Sequence, residues 1–521
     1  MSLARLSRGP AWWPAVLLFA LLYWTLDLAV LHAGVPHPLD DDWEGAIVAR
    51  HLVAGQGFRT DMIYPPLWTS RDPQSLTLPM VVHGPVVPLL MSLPLATLGP
   101  RSLDGSRWWA ALLAWLTLIP IYRLAARHFG APIAAGAALL FTLAPFTLGG
   151  VHHSLSVVLG ALLVSWALER IADEPPHLLA AGCIAALAYL VRPEMLLGSA
   201  AMAAFALDSA RWRGLVRFAA GFALPVLPWW IHQAWVTGSP WFNLSTFTLL
   251  GLWGDRPGFS ILRDFDMTPA RFPTALRAAM PGLWHKWVEF FPHAAWHALR
   301  ATSGGTGWLA LVGLTAALVA LRATAARERL AQWLGAPAEG GPSARATRQF
   351  VLLAFLLSLI PVVTSTLVDY VVLYFVTFLP IYAIGAAVGS RFVAGRLRAP
   401  QLWPLLLAAL LLPSVVRTLR VATAEARALE LRLRSERAAL RSLDGTRGPR
   451  LMFSDTPDFV AWTTGRPTVW LTREEFERLY PGADSTAVRP TLPTRAEVGT
   501  WFHDRPELPG SIGFQLTQPG R

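Results

Sequence analysis

VVHGPVVPLLMSLPLATL, residues 81–98, is apolar almost throughout, yet it carries His83, Gly84 and the prolines Pro85, Pro88 and Pro94. Whether this stretch crosses a bilayer decides the orientation of every span after it. A crossing helix needs roughly 20 apolar residues. Outward from 81–98 the chain offers such runs at 12–33, 106–125, 131–149, 155–170, 178–191, 194–209, 215–236, 306–322, 350–368, 371–389 and 401–417. That is about eleven spans by the length criterion. Short cytoplasmic connections collect arginine and lysine. If 81–98 does not cross, Arg5 and Arg8, Arg123 and Arg127, Arg170, Arg211, Arg213 and Arg217, the basic cluster at 322–348, and Arg391, Arg396 and Arg398 all fall on one side. If it does cross, the N-terminus and the later clusters disagree. The stretch therefore reads as a helix that dips into, or lies along, the outer face, and Arg192 is the basic turn left outside.

The composition agrees. Of 521 residues, 54% are hydrophobic and only 15% charged, too little polar surface to cover a soluble core of this size. The 24 tryptophans and 42 prolines fit a membrane chain, where indoles anchor at interfaces and prolines are tolerated in spans. A net charge of +11 would suit nucleic acid on one continuous surface, but here it is dispersed in short clusters between apolar runs and reads as topology. Cys183 is the single cysteine, which excludes an intrachain disulfide framework or thiolate metal site. The apolar run after Arg8 has no convincing small-residue cleavage site and reads as an uncleaved first helix.

The expected fold is thus mainly α: a polytopic transmembrane bundle over 1–418 with outer-face interfacial helices, and a small soluble α/β region over 419–521. The outer loops are 34–106 and 237–305. Residues 420–443 alternate charged and apolar residues at helical spacing, and 451–471 reads as short strands separated by turns at 455–457 and 465–467. Lys286, flanked by Trp284, His285 and Trp287, reads as an interfacial anchor.

Chemistry concentrates in the first outer loop. Asp40, Asp41, Asp42 and Glu44 stand together, followed by a helix over 42–54 with Trp43, Ala46, Ile47 and Val53 on one face and Arg50 able to snorkel. One aspartate suffices to cap a helix, so this many acids leave capping and catalysis both open. Arg192, in a tight turn between two spans, is either an anchor paired with Glu194 or a phosphate partner. His83 in its Gly/Pro-bounded segment is either an interfacial histidine or a phosphate contact, and Tyr64, in the same loop, is grouped with the binding candidates. His152 and His153 are adjacent rather than at helical ligand spacing, with no carboxylate cluster, so no metal site is indicated.

Asp41-Asp42, then Ala49-Arg50 and the Gly55-x-Gly57-Phe58 turn, resemble the start of the first outer loop in the GT-C glycosyltransferases, specifically the bacterial relatives of protein O-mannosyltransferases and aminoarabinose transferases. His83-Gly84-Pro85 is similar to that family's His/Lys-Pro-Pro segment. Leu190-Val191-Arg192-Pro193-Glu194 is similar to its arginine-proline-glutamate turn, and Trp229, Gly238, Pro240, Tyr374 and Leu379-Pro380 follow in family order over roughly 12–390. Two places depart. The stretch His152-His153-Ser154-Leu155-Ser156 carries no acid where members often have a second one, and Asp369-Tyr370 stands where many have Arg-Tyr.

The resemblance implies transfer of a sugar from a polyprenyl-phosphate carrier to an acceptor hydroxyl on a glycan, lipid or protein, outside a bacterial inner membrane, with inversion at the anomeric carbon. Asp41, with Asp42, would be catalytic; Arg192, His83, Arg50, Glu44 and Tyr64 would bind substrate. No cofactor is required, a divalent metal is left open but not indicated, and no nucleic acid partner is implied. A transporter, or a lipid-carrier-dependent glycan polymerase or ligase, is the competing expectation. Transporters show duplicated halves and midplane charges, whereas the acids here gather in outer loops.

Overall fold

The structure is a computed structural model. It describes chiefly residues 40–68, 77–99, 104–144, 155–240, 242–250, 258–265, 270–301, 306–320, 343–367, 372–403, 405–409, 451–479 and 498–501, with isolated positions elsewhere. The expected first span at 12–33 and the helix at 420–443 lie largely outside them.

The chain is a helical membrane bundle. Its helices are α1 (Asp40–Val53), α2 (Val86–Leu98), α3 (Asp104–Phe129), α4 (Ala131–Thr142), α5 (Leu155–Ala172), α6 (Leu178–Val191), α7 (Met195–Thr237), α8 (Phe272–Ala301), α9 (Thr306–Ala320), α10 (Ala344–Leu367), α11 (Val372–Thr377) and α12 (Leu379–Arg396). Among the described residues, Trp109–Phe129, Leu155–Ala172, Trp212–Thr237 and Arg345–Thr364 are long and apolar enough to cross a membrane, and five shorter helices are apolar. α2 is one of the shorter ones. Its 13 residues reach only about 20 Å at the α-helical rise, short of the roughly 30 Å hydrocarbon core.

The two spans expected at 194–209 and 215–236 fall in one run of helical residues, α7, whose two halves lie along α6 in opposite directions. In its first half Ser199 Oγ donates to the Ala185 carbonyl at 3.4 Å, so the chain runs back along α6. In its second half Gly221 meets Leu179 and Cys183, Val226 packs with Ala186 and Leu190, and Trp230 Nε1 donates to Tyr189 Oη at 3.4 Å, so the chain now advances with α6. The expected hairpin is therefore present within this run of helical residues. Leu224, Ile231 and Trp235 on this second half are largely exposed, an apolar face suited to lipid.

The span expected over 371–389 is broken at Phe378 into α11 and α12. Pro380 occupies the first turn of α12, where its missing N–H goes unused. Three arginines expected on one side meet where α3 and α5 end: Arg123 pairs with Glu169 at 2.9 Å, Arg127 with Asp173 at 2.6 Å, and Arg170 with Asp173 at 3.5 Å.

The tail forms a small α/β unit, with strands β4 (Leu451–Ser454), β5 (Thr468–Trp470) and β6 (Val498–Trp501) and helices α13 (Pro457–Thr464) and α14 (Arg473–Leu479). Three further strands come from the first outer loop: β1 (Arg59–Thr60), which pairs antiparallel with β3 (Leu78–Pro79), and β2 (Met62–Ile63). β2 pairs parallel with β5, giving a sheet of order β2-β5-β4-β6. The unit is therefore completed by the loop that carries the acids.

Candidate active site

α1 is buried on nearly every side, where its pattern predicted one wet face. Ala46, Ile47, Val48 and Ala49 are fully enclosed. α2 covers one side, so close that a Cβ on Gly45 would stand 3.2 Å from Val87 and Met91. α13 covers another: the Trp43 ring lies 5.9 Å from those of Phe459 and Trp462. The backbones of Asp41 and Asp42 fall in the first turn of α1; their side chains lie outside what the structure describes.

Glu44, one turn further, is 2% exposed. Its Oε2 accepts a hydrogen bond from Tyr64 Oη at 3.0 Å and lies 3.3 Å from His83 Nε2. Oε1 is buried with no hydrogen-bond partner among the described residues. Tyr64 directly follows β2, and its ring stands edge-on to Trp470 at the end of β5, 6.0 Å between centroids. The sheet thus fixes where the phenol points.

Beside His83, the Gly84 backbone presses on the last turn of α6. A Cβ there would fall 1.7 Å from the Leu190 carbonyl oxygen, so only glycine fits. This contact sets the His83 segment against the turn carrying Arg192, which caps α6 in an extended conformation. Arg192 is 6% exposed. Its Nε donates to Glu194, Nη1 donates to Ser156 Oγ at 3.3 Å, and its guanidinium lies 5.5 Å over the Tyr374 ring. A buried arginine needs such neighbours on several sides. Glu44, Tyr64, His83 and Arg192 therefore belong to one region of the molecule.

Arg50 goes elsewhere. It donates to Asp61 at 3.0 Å and to the carbonyls of Ala461 and Trp462, both at 3.3 Å, and sits over the Trp462 ring. These contacts fasten α1 to α13. His51 joins the same latch: Nε2 lies 3.0 Å from Asp61 Oδ1 and Nδ1 bonds Gln56. Burial disfavours the charged ring, but Asp61 and Gln56 outweigh burial and raise its pKa above the ordinary 6.5. A raised histidine pKa stabilises the fold fully below the unfolded value, and that contribution disappears as pH climbs through the folded value. Limited proteolysis should accordingly cut the α/β unit faster at pH 8.5 than at pH 6, with the difference abolished in His51→Asn.

Two expectations are corrected or extended. Lys286 is 1% exposed, buried on the inner face of α8 while Trp284 points outward, so it does not anchor at an interface. Ser156 and Tyr374 proved to be partners of Arg192; a serine in the first turn of a span gives no sequence signal beyond its position. Asp61 and Trp470 were likewise missed, because only the sheet pairing brings them to the first loop.

Comparison with known proteins agrees with the expected resemblance. Residues 82–232 match the family of dolichyl-phosphate-mannose-protein mannosyltransferases. The fold is that of the oligosaccharyltransferase of Archaeoglobus fulgidus. A structure tethered to an acceptor peptide aligns with TM-score 0.54 at 12% identity, and that of AglB with an inhibitory peptide and dolichol-phosphate with 0.53 at 12%; each covers 88% of this chain and 64% of the other. The chain spans under two thirds of the archaeal protein's length. ArnT from Cupriavidus metallidurans bound to undecaprenyl phosphate aligns with TM-score 0.49 at 14% identity, over 89% of this chain and 87% of that one. No curated protein matches the chain by sequence.

Proposed function

We propose that this chain is a GT-C membrane glycosyltransferase that moves a sugar from a polyprenyl-phosphate carrier to an acceptor hydroxyl on a glycan, lipid or protein. The observation that carries the reading is the meeting of a buried arginine turn with the acid-bearing loop, locked together by Gly84 on Leu190, within a fold shared with a lipid-carrier enzyme.

The reaction forms a bond from the acceptor oxygen to the anomeric carbon and breaks the bond from that carbon to phosphate. The acceptor loses a proton, and the carrier leaves with the electron pair as phosphate. Arg192 supplies the planar, permanently charged donor that the leaving phosphate requires, with His83 as a second donor on the same side. Asp41, at the start of α1, is the general base, with Asp42 beside it; an ionised carboxylate in reach of the hydroxyl takes its proton. A single displacement with no covalent enzyme intermediate inverts the anomeric centre. Glu44 and Tyr64 shape the wall behind His83, and Arg50 holds α1 in place from the α/β unit. The setting is a bacterial inner membrane, with the site facing the periplasm or exterior.

Mass spectrometry of envelope lipids and glycans tests this. A strain lacking the protein should lose one sugar mass, recovered by wild type and by Asp104→Asn but not by Asp41→Asn at equal membrane abundance. Unchanged glycans in the deletion strain overturn the activity. Full recovery by Asp41→Asn overturns the base assignment alone.

A further inference from the structure

We infer that Glu44 is a positioning residue: without touching substrate, it holds the His83 imidazole in the orientation that meets the carrier phosphate. The inference rests on the transferase reading and adds a role to it.

A carboxylate as deeply buried as Glu44 persists only with partners, and both that it has among the described residues converge on one oxygen, Oε2. One is Tyr64, whose place is fixed from behind by β2 and Trp470. The other is His83. The two ends of this brace differ in access: the Glu44 side chain is 2% exposed and that of His83 is 27%. The histidine is therefore the open end, and Glu44 and Tyr64 behind it are buried.

A carboxylate 3.3 Å from Nε2 favours the proton on that nitrogen and so selects the ring's tautomer and direction. That direction is constrained a second time from the backbone, because the neighbouring Gly84 is seated on Leu190, two residues before Arg192. A histidine held by its side chain, and by its backbone against the turn that leads to a buried arginine, is suited to an anionic group such as phosphate. The acid comes from the helix that begins with the aspartates, at a position that neither composition nor helix capping explains, since position 44 lies beyond the cap.

The test is a double-mutant cycle in purified, lipid-reconstituted protein, using Glu44→Gln, His83→Ala and the pair. Gln keeps the size and still accepts from Tyr64. Glu44→Gln should raise KM for the polyprenyl-phosphate sugar about tenfold with a smaller change in kcat. In the His83→Ala background it should cost under about twofold, because the group it positions is gone. Binding of polyprenyl phosphate alone, followed by tryptophan fluorescence, should show the same non-additivity. Equal costs in both backgrounds, or no cost in either, overturn the positioning role. If Glu44→Gln does not fold, Tyr64→Phe takes its place in the same cycle with the same two outcomes. A wild-type protein that neither binds polyprenyl phosphate nor transfers sugar defeats the transferase reading itself, whereas transfer with additive effects defeats only the role of Glu44.

Discussion

Arg192→Lys lowers kcat/KM for sugar transfer by about 100-fold or more, equivalent to about 2.7 kcal/mol of lost transition-state stabilisation. The substitution keeps the charge, so the loss measures geometry. The guanidinium reaches Glu194 with Nε and Ser156 with Nη1 while its face covers Tyr374. An ammonium is a point donor on a flexible stem and cannot serve three directions from one plane. It satisfies Glu194 or reaches the phosphate, and the fork that matches two phosphate oxygens is absent. Because the positive charge still neutralises Glu194, the fold should survive, with a thermal midpoint within a few degrees of wild type. Steady-state kinetics with the polyprenyl-phosphate sugar, run beside thermal unfolding, separate the two roles. Undiminished transfer in Arg192→Lys would mean that the arginine serves only to anchor Glu194.

The features legible in the sequence are those in which one residue type has few physical explanations. Long apolar runs punctuated by arginine clusters have one solvent that suits them, and the bundle follows. Arg192 in a short turn, and Asp40 to Asp42 with Glu44 in one loop, also stood out, since charges in a chain so poor in them must be accounted for individually. The strand pairing was not legible. β2 is two residues long and carries no alternation to detect; it becomes a strand because β5 offers an edge, a contact across some 400 positions of sequence. Lys286 was misread for a related reason. Flanking tryptophans on a helix suggest an interface, but a helix has opposite faces, and only packing shows that Trp284 and Lys286 lie on different ones. Nor does any periodicity reveal that the enclosure of α1 is finished by α13, since an amphipathic stripe predicts one buried face and the second cover comes from the far end of the chain.

Gly84→Ala removes sugar transfer while leaving most of the bundle folded, and its effect differs in kind from that of the same change at Gly182. At both positions a methyl group would invade backbone: 1.7 Å from the Leu190 carbonyl at Gly84, and 2.1 Å from that of Phe218 at Gly182. Neither obstacle is a side chain that can rotate away, so the backbones must separate, at a cost of about 1–3 kcal/mol or more for overpacking. At Gly182 the separation falls within the α6–α7 contact, which buries apolar surface and holds no candidate catalytic group; the expected result is a lower thermal midpoint with activity per folded molecule nearly retained. At Gly84 the same displacement moves His83 away from the turn that carries Arg192. A shift on the order of 1 Å between the two proposed phosphate donors can cost about 100-fold in rate. The measurement is transfer activity normalised to the fraction folded, judged by size-exclusion profile and thermal unfolding, for both variants side by side. Parallel losses of activity and folded fraction at the two glycines would show that Gly84 only packs helices, and the link between the acid-bearing loop and the arginine turn would lose its functional meaning.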